Sequence, residues 1–264
     1  MNWTVIFEKM LDPYEVKARL FPGLLVLLPM ILFLALLYGT KSPVVVGLSA
    51  VLAACGGPYL LSSFVRTWGQ RAQDRLYREW GAPPSTIILR HRDSTLPQQT
   101  KLRFHELATS RLLIAMPSAE DERRDPAHAD QAYGAAADAL RPLTNNRNTF
   151  PFVFKELVAY GFNRNAHGSR WVGISVAAAT AVVTVLHANA LRLHQPYWDL
   201  STLDTAHIVV LGAAVSLAAL WCAHFTAGTV KLAGFSYAKR LWEALEKVSK
   251  KRSRAHSKDS ETAA

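Results

Sequence analysis

The chain predicts an all-α membrane protein with four transmembrane helices in two hairpins and a mostly helical cytoplasmic domain between them. Three observations carry this. Four apolar runs, residues 20–38, 43–65, 171–191 and 206–230, hold 19 to 25 residues each with almost no charge. At about 1.5 Å per residue each can cross roughly 30 Å of hydrocarbon. The runs come in two pairs, each joined by a short connector. Of the 30 Lys and Arg, only Lys41 and Arg192 fall in those connectors. By the positive-inside rule both termini and the central segment are cytoplasmic, which places a multi-pass protein in a bacterial inner membrane.

The composition agrees once it is mapped. A hydrophobic content of 50% with a mean hydropathy of only +0.07 reflects apolar runs alternating with polar segments. The net charge of +10 is then a topology signal rather than a nucleic-acid footprint. Cys55 and Cys222, the two cysteines, lie inside apolar runs, so neither a disulfide framework nor a thiolate metal site is indicated.

Residues 1–19 place Trp3, Ile6, Phe7, Met10 and Leu11 on one helical face, a cytoplasmic amphipathic segment at the membrane interface. Acidic residues before the first run, and no small-residue cleavage site after it, favour an uncleaved signal anchor.

Residues 20–65 form the first hairpin. Pro29 in its first span and Gly56-Gly57-Pro58 in its second each free backbone groups, predicting a paired hinge. In lipid, close helix approach needs small side chains, which Ala50 and Ala54 supply here. Gly173, Ala177, Ala181, Gly212 and Ser216 supply them in the second hairpin, residues 171–230. These residues are expected to face other helices, in the same chain or in a homo-oligomer. His224 is the strongest intramembrane polar candidate.

The central domain, 66–170, reads as helices at Arg66–Trp80, Gln98–Met116, Ala127–Leu140 and Pro151–Asn165, with Ser85–Leu89 extended at most. After the second hairpin, residues 231–250 form a juxtamembrane amphipathic helix, and 251–264 a disordered basic and polar tail suited to anionic lipid.

Catalytic signals are weak. His91-Arg92-Asp93 matches the core of a kinase catalytic loop, but the glycine-rich and lysine elements are missing. Neither a phosphate-cradling glycine loop nor a nucleophile elbow is found. The chain therefore reads as non-enzymatic, with no cofactor and no metal centre. His187, His194, Asp199, Asp204 and His207 are irregularly spaced polar residues at a water boundary. Asn145, Asn146, Arg147, Asn163 and Arg164 form the one patch suited to a nucleotide or nucleic-acid trigger, since amides and guanidinium groups read base edges and phosphates.

The pattern Glu156-x-x-x-Tyr160-Gly161-Phe162-x-Arg164-Asn165-x-x-Gly168, ahead of an apolar span, looks like stretches of bacterial multi-span proteins. The whole plan is similar to membrane effectors of anti-phage systems of the CBASS and retron kinds. The resemblance implies that a cytoplasmic signal, protein or nucleotide, releases or assembles the spans, which then damage the membrane. Two other readings stand beside it: a scaffold that recruits cytoplasmic partners, and a small-solute channel or carrier.

Overall fold

A computed structural model of the chain describes residues 12–39, 42–54, 56–191, 194 and 197–248. The expected amphipathic segment before Asp12, connector residues Thr40, Lys41 and Arg192, Cys55, the Ala54 side chain and the tail 251–264 lie outside the described residues. Among those residues the structure is helical throughout, save one isolated bridge between Leu191 and Trp198. In chain order the helices are α1 (Pro13–Tyr38), α2 (Pro43–Ala54), α3 (Gly57–Trp80), α4 (Pro84–Ile87) and α5 (Gln98–Leu107). There follow α6 (Ala119–Arg124), α7 (Pro126–Leu143), α8 (Pro151–His187), α9 (Thr205–Ala223) and α10 (Ala227–Ala244).

Three helices, α1, α8 and α9, are long and apolar enough to cross a membrane. Four such spans were expected. The second apolar run is instead divided between α2 and α3, because Gly56 adopts φ of +79°, a left-handed conformation that glycine alone takes at no steric cost. Pro58 then falls in the first turn of α3, where its missing N–H has no partner to lose. Pro29, by contrast, stands buried inside the continuous α1.

Two turns of α1, Val16–Leu20 and Leu34–Tyr38, are π-helical. Pro22 explains the first. It cannot donate to the carbonyl of Ala18, and its ring crowds that carbonyl, so the ladder shifts and the Phe21 N–H bonds Val16 O, five residues back.

Other elements differ from the pattern-based reading for local reasons. Ser85–Leu89, expected to be extended, begins as the buried helix α4, where Pro84 at its first position pre-sets the helical φ. The helix from Gln98 ends at a π-turn, Ala108–Leu112, and Leu113 at φ of +60° breaks it, so Ala115 is exposed rather than inward. The helix starting at Pro151 does not end at Asn165 but continues to His187. The fourth run stops at Ala223.

The chain divides into two compact units, one of Met1–Glu79 with Val158–Lys231, the other of Trp80–Leu157 with Leu232–Ala264. These boundaries differ from 66 and 170, since α3 and α8 each run past the point where hydropathy changes. The first unit has a core of Val26, Ala166, Leu217, Trp221 and Phe225, from α1, α8 and α9. The second packs Phe104, Tyr133, Leu140, Trp242 and Leu245 into a separate core. Of the amphipathic stripe of residues 231–248, Trp242, Leu245 and Val248 are buried in this core and Leu232 is exposed.

Candidate functional site

The most constrained site in the membrane unit is a buried polar node built on α8. Asn165 is fully buried. Its Nδ2 donates to the carbonyl of Ala18 at 2.6 Å, the group that Pro22 leaves without a helical donor. Its Oδ1 accepts from Arg164 Nε and Nη2 at 3.2 and 3.1 Å. Arg164 Nη1 reaches Gln73 Oε1 at 2.8 Å, and Tyr160 donates to the same oxygen at 3.2 Å. Tyr160 also shares a 2.7 Å hydrogen bond with Tyr77. One turn further on, Ser169 returns its hydroxyl to Asn165 O.

Glycines make the approach. A Cβ on Gly168 would stand 2.5 Å from the Trp68 carbonyl, and one on Gly69 would stand 1.9 Å from Asn165 Oδ1. At Gly161 a Cβ would meet Tyr14 and Ala18 within about 3 Å. The Tyr160-Gly161, Arg164-Asn165 and Gly168 pattern singled out in the sequence is therefore a helix-crossing motif. It joins α8 to α1 and α3.

Above the node α8 presents a small-residue face to the same unit. Gly173 lies against Trp221, whose ring a Cβ would strike at 2.4 Å, and Ala177 is buried. Ala181 is half-buried. Gly212, Ser216 and Ala50 are exposed among the described residues. The C-terminal carbonyls of α9 are met by basic groups of α8: Arg170 donates to Cys222 O and His167 to Phe225 O, each at 3.0 Å. Both satisfy orphan acceptors at the negative end of a helix dipole. His224 caps α9 where the helix stops, its ring against Phe225, so it lies at a break rather than inside a helix.

At the other end of α8 and α9, the histidines and acids form a relay. His207 Nδ1 is 2.7 Å from Asp204 Oδ1, and its Nε2 is 3.0 Å from His187 Nδ1. The carboxylate can only accept, so His207 Nδ1 donates to it. The His207 backbone and ring bonds hold the Asp204 carboxyl below its ordinary pKa. Phe33 and Tyr38 pack their rings against His187. Among the described residues, no group of three or more His, Cys, Asp or Glu is arranged to hold a metal ion.

The residues of the expected ligand patch divide between the two units. Asn145, Asn146 and Arg147 are exposed in the α7–α8 loop, where Asn146 Oδ1 accepts from the N–H groups of Asn148 and Thr149. Asn163 bonds Ala159 O of its own helix, and Arg164 belongs to the node.

The second unit carries a buried carboxylate that pattern reading missed. Glu122, 2% exposed, accepts from the His91 N–H at 2.6 Å, Tyr133 OH at 2.8 Å, Arg92 Nη1 at 3.0 Å and the Arg92 N–H at 3.2 Å. Burial opposes its charge, but these four bonds outweigh burial and hold its pKa below the ordinary carboxylate value. His91-Arg92-Asp93 is thus a loop anchored on Glu122. Lys101 ties the same loop through the carbonyls of Arg90 and Asp93.

No family model matches this chain, and neither a curated protein nor a solved structure matches it.

Proposed function

We propose that the chain is a non-enzymatic inner-membrane protein with four crossings, whose cytoplasmic helical unit regulates the packing of its membrane helices, with membrane permeabilisation as the output. Both hairpins close, which supports the layout. A Cβ on Gly23 would meet Leu61 at 2.6 Å, so residues 24–57 leave that point and return to it. Residues 158–231 contain two crossing helices, which return the chain to the side it left. That parity suits the single core that residues 88–153 and 238–248 share. Exposed Gly212 and Ser216 on α9 suit a homo-oligomer.

The observation that carries the regulatory reading is the Asn165 node. Buried polar contacts to α1 and α3 converge on a helix whose first turn, at Val153, lies in the core of the other unit. A polar node of this kind has two states, bonded or solvated, and the bonded state is lost as a whole. In the anti-phage reading, a cytoplasmic trigger pulls the node open. The test is dye entry and membrane potential in cells that express the wild type, or Asn165→Ala, with and without phage. Permeability that rises with phage in the wild type, and without phage in the variant, is expected. Unchanged dye entry and potential in all arms contradicts the reading.

A second reading, a proton-coupled carrier, is favoured by the Asp204–His207–His187 relay. In proteoliposomes it requires pH-driven proton uptake that His207→Asn removes. Uptake that persists in the variant counts against it.

A further inference from the structure

We infer that the membrane unit holds a specific site for the headgroup of a zwitterionic phospholipid, at a cavity between the first turns of α1 and the first turns of α3. The inference rests on the membrane-embedded reading of these helices, but not on permeabilisation. The cavity measures about 250 Å³ and is lined by Asp12, Glu15, Arg19, Ser62, Ser63 and Arg66. At about 30 Å³ per water-sized group, this holds roughly eight such groups, the size of a phosphoethanolamine.

Depth, charge and an unmet donor agree. Arg19 directly precedes Leu20, where the first apolar run begins, and Arg66 directly follows Val65, where the second ends. The cavity thus sits where hydrocarbon gives way to headgroups. Exposed apolar side chains flank it, Phe21 and Leu24 on α1 and Tyr59, Leu60 and Phe64 on α3, a surface suited to acyl chains.

Its lining carries two guanidinium groups and two carboxylates. A purely anionic ligand would meet Asp12 and Glu15, and a simple cation would meet the arginines. A headgroup with a phosphate and an ammonium meets both pairs, phosphate on the arginine forks and ammonium on the carboxylates. Arg19 pairs with Glu15 through Nη1, and its buried Nε has no partner among the described residues. A phosphate oxygen would satisfy that donor, which is otherwise costly to bury.

The test uses the full chain in detergent and native mass spectrometry. Phosphatidylethanolamine and phosphatidylglycerol with identical acyl chains are offered at equal concentration, with soluble O-phosphoethanolamine as competitor. The wild type is expected to retain phosphatidylethanolamine about tenfold over phosphatidylglycerol. Arg19→Gln with Arg66→Gln should lower that retention about tenfold. Asp12→Asn with Glu15→Gln should reverse the preference. Arg66→Gln alone, at an exposed position, keeps the test valid where the double variant fails to fold, and should lower retention severalfold. Equal retention of both lipids by the wild type, or retention unchanged in Arg66→Gln, overturns the inference. Displacement by O-phosphoethanolamine at the lipid's own concentration overturns it too, because it would assign the cavity to a soluble phosphate.

Discussion

Glu122 and Asn165 are single residues on which a unit depends, for opposite electrostatic reasons. Glu122 is a buried charge with four donors. Glu122→Ala leaves the Tyr133 hydroxyl and the His91 N–H without their shared acceptor, while Arg92 keeps Asp130, and should destabilise the second unit by about 1 to 3 kcal/mol, read as a lower melting temperature. The pH dependence follows from two groups there. His105 is buried with one ring nitrogen on Leu89 O, and burial lowers its pKa from the ordinary 6.5. Its unfolded counterpart protonates first as pH falls, so its contribution is full above about 6.5 and declines below. Glu122, also lowered, contributes fully above its ordinary 4.5, and the contribution is lost as pH falls through its folded value. Melting followed from pH 8 to 4 should therefore show a first decline below about 6.5, absent in His105→Gln. Asn165 is neutral, and Asn165→Ala removes the donor to Ala18 O inside apolar surroundings, at about 1 to 3 kcal/mol.

At the scale of elements, glycine decides which helices touch. Gly168→Val would drive two methyl groups into the Trp68 backbone, which cannot move aside as a side chain can. It should abolish the folded membrane unit, measured as loss of a monodisperse peak in detergent. A Cβ on Gly212 meets nothing within 4 Å among the described residues, so Gly212→Ala should leave the folded unit intact. Small residues on a span were legible as contact residues, but not which faces would be used. Gly173 faces α9, where Trp221 fills the space opposite it, and Ala177 is buried, whereas Gly212 and Ser216 are exposed. The polar pattern from Tyr160 to Gly168 was legible as unusual. Its role was not, because the partner of Asn165 is a carbonyl exposed by Pro22, almost 150 residues away in the chain. Helix ends were the least legible part. The α8 sequence changes from polar to apolar at Trp171 without a helix break, and hydropathy marks that change as a boundary while the hydrogen-bond ladder ignores it.

For the molecule as a whole, the apolar runs and the charge asymmetry were sufficient to read the membrane class and the helical character. The second run was read as one span hinged at Gly56-Gly57-Pro58, and the left-handed Gly56 divides it into two helices there. The segment after the second hairpin was read as lying under the bilayer. Of its stripe, Trp242, Leu245 and Val248 complete a protein core while Leu232 stays exposed, a choice that periodicity cannot make. That shared core supports the proposed layout, in which two crossings separate Leu157 from Leu232. The contact of Gly23 with Leu61 does the same for the first hairpin. The most direct test places single cysteines at Ser42, Ser94 and Ser201 in a chain with Cys55→Ser and Cys222→Ser. Each is labelled with a membrane-impermeant thiol reagent in intact cells. Four crossings predict labelling at positions 42 and 201 from outside, and at 94 only after the membrane is permeabilised. Labelling of positions 42 and 94 from the same side would contradict the account.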